Sequence, residues 1–148
     1  MLGSTNGETI KESAMAEVRV ERTADGGFVG TNARGASVAI GTGDQDGVFT
    51  PVELLLAALA GCELVTVEPL TAKRGHRMAR LAADVTAEKV ETSRLGTITV
   101  TYDVELPEGD EEAADVLRSV AARVHERYCT VGNALKERMT VEQVVPVE

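Results

Sequence analysis

Phe49-Thr50-Pro51-Val52-Glu53-Leu54-Leu55-Leu56-Ala57-Ala58-Leu59-Ala60-Gly61-Cys62 is the stretch that decides how this chain folds. Thr50 is a helix N-cap, Pro51 takes the first helical position, where no N–H is needed, and Glu53 completes a Thr-x-x-Glu capping box. A helix therefore starts here and is carried by the pattern to about Lys73. Pro69 is expected to kink or end its first stretch, and Gly75 supplies the stop. Between Val52 and Cys62 the helix is apolar on nearly every face, which predicts a central, buried helix surrounded by protein. The strongly apolar run Leu54 to Cys62 is well short of the roughly 18 residues that cross a bilayer, so no membrane span is expected.

Upstream of the helix, Ala16 to Arg22 alternates apolar and charged residues, the mark of a half-buried strand, and Asp25-Gly26-Gly27 turns the chain. Gly27 to Gly30 and Ala36 to Ile40 read as two more strands around a turn at Asn32 to Gly35, giving a β-meander. Residues 1–15 are small, polar and aperiodic and read as a flexible leader, with one domain over 16–148. Downstream, Arg80 to Glu91 and Thr97 to Leu106 alternate again and form a hairpin about Ser93-Arg94-Leu95-Gly96. Asp110-Glu111-Glu112 opens an amphipathic helix whose stripe is Ala113, Val116, Leu117, Val120, Ala121 and Val124. A short helix over Thr130 to Met139 and a strand over Thr140 to Val145 complete the order βββ-α-ββ-α-α-β, an α+β fold.

Composition bounds the function. The 148 residues carry 24 Asp and Glu against 15 Lys and Arg, a net charge of −9 that repels phosphate backbones and anionic lipid. Aromatic residues make up only 3% of the chain, leaving almost nothing on which bases can stack, whereas 43% apolar residues suffice for an aliphatic core. Neither nucleic acid nor membrane is an expected partner. A core so poor in aromatics would gain from a second subunit. The first residues have neither the basic nor the apolar region of a secretory signal, and two cysteines far apart in sequence make neither a CxxC motif nor a disulfide-stapled scaffold. A cytoplasmic location is the expectation.

The same two cysteines are the candidates for chemistry. Cys62 sits inside the apolar helix, where a free thiol serves either as a small core group or as a nucleophile. Cys129 stands at a junction between helices, where the helix dipole favours a thiolate and nominates it as the more acidic thiol. A cation for Cys62 would come from Arg22, Arg34, Arg74 or Arg77. Arg34 is the best placed of these, in a turn just before the buried helix. Glu53, nine residues before Cys62, lies on the opposite face and about 13 Å along the axis, so it can reach a guanidinium but not the thiol. Glu63 adds a charge beside Cys62 that disfavours a thiolate unless it points away or is itself paired. His125 precedes Cys129 by one turn, but no third ligand is spaced to match, and no metal is expected.

Residues 49–62 resemble the (S/T)PxELLLAALAxC signature of the OsmC/Ohr family, named for osmotically inducible protein C and organic hydroperoxide resistance protein. Cys129-Thr130-Val131-Gly132-Asn133-Ala134-Leu135 resembles that family's CPVxxAL block, and the element order agrees. The resemblance implies an OsmC-like fold assembled as an intertwined homodimer with its central helices packed across the twofold axis. It implies thiol-dependent reduction of organic hydroperoxides in oxidative or osmotic stress defence. Cys62 would be the peroxidatic thiol and Cys129 the resolving one, with an arginine, Arg34 or Arg22, activating Cys62 and Glu53 as the glutamate that would orient it. No bound cofactor is implied; an external dithiol, of lipoyl type, would be the reductant.

Three positions depart from the best-studied pattern. The glutamate there follows the proline directly, whereas here Val52 intervenes before Glu53; Thr130 replaces a proline; and Glu63 places a charge beside Cys62. These departures resemble the broader OsmC-like branch, for which a lower peroxidase efficiency or a different substrate follows. The alternative is a small hydrophobic-ligand-binding protein on the same scaffold.

Overall fold

The computed structural model describes residues 16–147, so the expected leader over 1–15 lies outside the described residues. The chain divides into two compact units, one up to Leu54 and one from Leu55 onward.

The first unit is the meander. β1 (Arg19–Arg22), β2 (Phe28–Thr31) and β3 (Ser37–Ile40) form one antiparallel sheet in that order. Val20 stands opposite Gly30, and Gly30 opposite Val38. β1 is shorter than the alternation from Ala16 suggests. The first turn uses Gly26 at φ 91°, a conformation that favours glycine. In the second, the Asn32 side-chain oxygen accepts the N–H groups of Arg34 and Ala36, each at 3.0 Å. The capping box forms as read: the Thr50 N–H donates to Glu53 Oε1 at 2.8 Å, and the Glu53 N–H to Thr50 Oγ1 at 3.1 Å.

The long helix, α1 (Pro51–Lys73), continues past Pro69 rather than ending there. Proline there removes the N–H that would bond the Val65 carbonyl, but Val65 is 75% exposed and water can satisfy that oxygen. The expectation of burial on all sides is corrected. The buried residues, Leu59, Ala60, Glu63, Val67 and Thr71, form a single stripe. Among the described residues that face is the one fully covered, while Leu54, Leu55, Leu56, Cys62 and Leu64 are partly buried. By length and composition the helix is also able to span a bilayer, at 23 residues and a mean hydropathy of 1.6 over its best window, contrary to the reading of Leu54 to Cys62. Its buried, paired Glu63 belongs instead to a helix packed in a protein core.

Against the buried stripe lie the hairpin and the later helices. β4 (Arg80–Glu91) and β5 (Arg94–Glu105) pair antiparallel, with Val85 opposite Val100 and Ala83 opposite Tyr102. Irregular register between Ala87 and Glu91 tightens the turn to Thr92-Ser93, so β5 starts earlier than the Gly96 signal indicates. α2 (Ala113–Arg123) buries Ala113, Leu117 and Val120, passes into a π-helical turn (Val124–Tyr128), and is followed by α3 (Thr130–Lys136). The expected strand over Thr140 to Val145 does not form: Val141 and Val144 are 87% and 82% exposed. Its valines at 141, 144 and 145 do not keep the period of two that a half-buried strand needs, and Pro146 follows at once.

One polar tie fixes the entry to α2. His76 Nδ1 lies 2.6 Å from Asp110 Oδ2, joining the turn after α1 to the loop before α2. The hydrogen bond with His76, opposed by slight burial and helped by the His76 charge, holds the Asp110 carboxyl below its ordinary range. A carboxyl depressed on folding stabilises the fold above its unfolded pKa, near 3.9, and the gain is lost as pH falls through the lower folded value. Asp110→Asn should therefore lower Tm at pH 6, with the gap to wild type closing below about pH 4. A gap independent of pH in thermal melts would contradict the assignment.

Candidate thiol site

All the residues of this site belong to the second unit. Cys129 forms the N-cap of α3: its backbone is extended (φ −80°, ψ 99°) and its Sγ accepts the Gly132 N–H at 3.2 Å. A side chain at Gly132 would be crowded. A Cβ there would stand 3.1 Å from Cys129 Sγ and 3.5 Å from Leu59 Cδ1, so the thiol and the Leu59 side chain of α1 close on the glycine from two sides. Cys129 is wholly buried, whereas Cys62 is partly exposed and packs against the core cluster that contains Cys129. Both thiols are free, and they are near enough for each to affect the other's ionisation.

The prediction that Cys129 is an acidic thiol is reversed. Burial pushes its pKa up, and the Cys62 thiol and the Glu63 charge add to the rise, while the Gly132 N–H alone pulls it down. One amide at the end of a seven-residue helix does not offset loss of water.

Glu63 resolves the concern about a charge beside Cys62. It is 2% exposed and held at both oxygens: Tyr102 of β5 donates its O–H to Oε1 at 3.0 Å, and His125 Nδ1 lies 3.1 Å from Oε2. Tyr102 is pushed well above the phenol range, by burial first and then by the Glu63 charge and hydrogen bond. The His125 side chain is 58% exposed, so the cluster leads from the core to the surface. Its main chain is fixed by Lys136, whose Nζ donates to the His125 carbonyl at 2.8 Å. Helical spacing alone would set His125 one turn before Cys129; in the fold its Nδ1 is bonded to Glu63 instead. Tyr102 had no sequence signal beyond its inward position on an alternating strand.

Two shallow clefts flank His125. One, of about 240 Å³, is lined by Leu59, Ile98, Gly132, Leu135 and Lys136; the other, of about 320 Å³, by Glu63, Val100, Tyr102 and Ala121. Both have largely apolar walls. Among the described residues no group of three or more His, Cys, Asp or Glu side chains is arranged to hold a metal.

Arg34 and Glu53 lie in the first unit. Arg34 is exposed in the β2–β3 turn, and the Glu53 carboxylate is engaged in its own capping box. Of the four residues singled out for catalysis, the fold brings Cys62 and Cys129 together.

An α+β domain with two thiols meeting between its long helix and a short C-terminal one is the class this geometry defines. The OsmC-like protein family model matches residues 41–144, and the chain belongs to that family. It is 36% identical over 135 residues, 90% of this chain and 98% of theirs, to uncharacterized proteins of Mycobacterium bovis and Mycobacterium tuberculosis. Among solved structures it resembles a hypothetical protein from Aquifex aeolicus VF5 (TM-score 0.65, 21% identity, 82% of this chain and 87% of that one). An OsmC-like protein from Mycoplasma pneumoniae superposes with a TM-score of 0.63 at 17% identity, over 82% of this chain and 87% of the other. A Psychrobacter arcticus 273-4 protein described as an osmotic stress induced and detoxification response protein gives 0.62 at 17%, over 81% and 88%. These likenesses establish the fold.

Proposed function

We propose that the chain is a thiol-dependent peroxidase that reduces organic hydroperoxides in stress defence. The observation that carries this reading is the contact between Cys62 and Cys129, drawn from distant parts of the sequence into one apolar site. Family membership supports a stress-related, hydroperoxide-linked role. The Cys62 sulfur attacks the peroxide O–O bond, the proton from the thiol goes to the departing alkoxide, and the products are a Cys62 sulfenic acid and an alcohol. Cys129 then attacks the sulfenic sulfur, and hydroxide leaves with the thiol proton as water, giving the Cys62–Cys129 disulfide. An external dithiol, of lipoyl type, supplies the two electrons that reopen it.

The working form in this reading is an intertwined homodimer in the cytoplasm, with Arg34 or Arg22 as the activating cation and Glu53 as its partner. The uncovered side of α1, with Val65 and Leu70 exposed, and the valine-rich C-terminal segment support a second copy. One equivalent of cumene hydroperoxide added to the reduced protein should remove both free thiols and lower the intact mass by about 2 Da, the loss of two hydrogens. Retention of both thiols would refute the reading. The apolar clefts beside His125 favour a second reading, a small hydrophobic-ligand-binding protein; a ligand copurifying with a protein inert to peroxide would establish it.

A further inference from the structure

Glu63 has no part in the thiol chemistry just described, yet it is the one buried carboxylate among the described residues and sits next to Cys62 on α1. A buried carboxylate is costly unless its charge is paired and its oxygens are bonded. Both oxygens are bonded here, by Tyr102 on Oε1 and His125 on Oε2, and the imidazole pairs the charge when it is protonated. Leu59 and Glu63 lie one turn apart on the same face of α1. Leu59 closes on Gly132 beside the Cys129 sulfur, which brings the carboxylate into the neighbourhood of the thiols.

The groups that face this carboxylate can be named element by element. β5 contributes Tyr102; the π-helical turn contributes His125; α3 contributes Lys136, through the His125 carbonyl; the thiols are Cys62 and Cys129. The remaining walls, Leu59, Ile98, Val100 and Ala121, are apolar. In such surroundings the carboxylate's charge is poorly screened, and the group bonded to it that can take up a positive charge is the imidazole at the surface.

We propose that Glu63 is a positioning residue for the thiol pair: clamped between Tyr102 and His125, its buried negative charge sets how readily the Cys129 sulfur reacts, and His125 is the handle by which the charge at the surface adjusts it. Cys129 is thereby a restrained thiol, held protonated until Cys62 presents an oxidised sulfur. The direction agrees with the rise in the Cys129 pKa, to which the Glu63 charge contributes. The bearing on disulfide formation rests on the peroxidase reading above; the effect on the thiol does not.

The test uses the full chain with cysteine labelled at 13Cβ. Two cysteines give two resonances, and each is followed from pH 6 to 11. Glu63→Gln keeps the shape and removes the charge. It should raise the Cys129 thiolate fraction about tenfold at pH 8, one pH unit of midpoint. His125→Lys, at an exposed position that tolerates change, adds a permanent cation and should move Cys129 in the same direction with Glu63 in place. Tyr102→Phe removes a hydrogen bond without adding or removing charge at neutral pH and should move it least. A role confined to packing predicts no movement in the charge variants. An unmoved Cys129 midpoint in folded Glu63→Gln, or in His125→Lys should the first variant not fold, overturns the inference. Peroxide consumption measured on the same samples is a separate outcome: a shifted thiol in an inert protein refutes the peroxidase alone, and an unshifted thiol in an active one refutes the role of Glu63 alone.

Discussion

Cys62→Ser is expected to abolish hydroperoxide consumption, a loss on the order of a thousandfold or more, whereas Cys129→Ser should complete one oxidation and stop. The asymmetry comes from the environments of the two sulfurs. Cys62 is partly exposed and open to a small substrate, while Cys129 has no exposed surface and is held protonated by burial, by Cys62 and by Glu63. A thiol in that state is a poor first nucleophile. It nonetheless belongs to the cluster against which Cys62 packs, where it can capture a sulfenic acid without a long approach. With Cys129 removed, that capture fails and the sulfenic acid persists. Intact mass after one equivalent of peroxide should rise by about 16 Da, one oxygen, and a dimedone adduct should map to Cys62. Consumption that survives in Cys62→Ser, with oxidation at Cys129, would reverse the assigned roles.

Local features were legible before any coordinates, because each is written within a few residues. The capping box at Thr50 to Glu53, the meander turns at Gly26 and Asn32, and the stripe on α2 all formed where the pattern put them. What failed depended on distant partners. α1 was read as buried all round because composition reports that a face is apolar and not whether this chain covers it. The valines after Thr140 suggested a strand, but β-propensity without alternation or an available neighbour does not make one. The partners of Glu63 stand 39 and 62 residues away, beyond any spacing rule. For Cys129 the dipole argument had the right sign for one amide but omitted desolvation, the larger effect. The one-turn spacing from His125 to Cys129 assumes an α-helix, and the π-helical turn over Val124–Tyr128 changes that register.

The largest stability effect should come from Leu117→Ala. Leu117 lies mid-helix in α2, is 7% exposed, and belongs to the cluster of Leu59, Val67, Met78, Ala113, Val120, Val124 and Cys129. The one ring packed against this cluster, Tyr102, is tied to Glu63 by its hydroxyl, and the rigid valines around Leu117 relax little. The cost is therefore expected at about 2–5 kcal/mol, the span from lost transfer energy alone to lost transfer plus an unfilled cavity. For a domain of this length that lowers Tm by roughly 5–15 °C. Arg118→Ala, one residue along, is the matched control: its side chain is 76% exposed and bonds only to Asp115, itself 88% exposed, so its loss should change stability by less than about 0.5 kcal/mol. The contrast between neighbours separates core packing from helix propensity, since both variants place alanine in the same helix. Should the two cost the same, the face of α2 that carries Leu117 is not packed in solution, and the burial that holds Cys129 protonated would lose its support along with it.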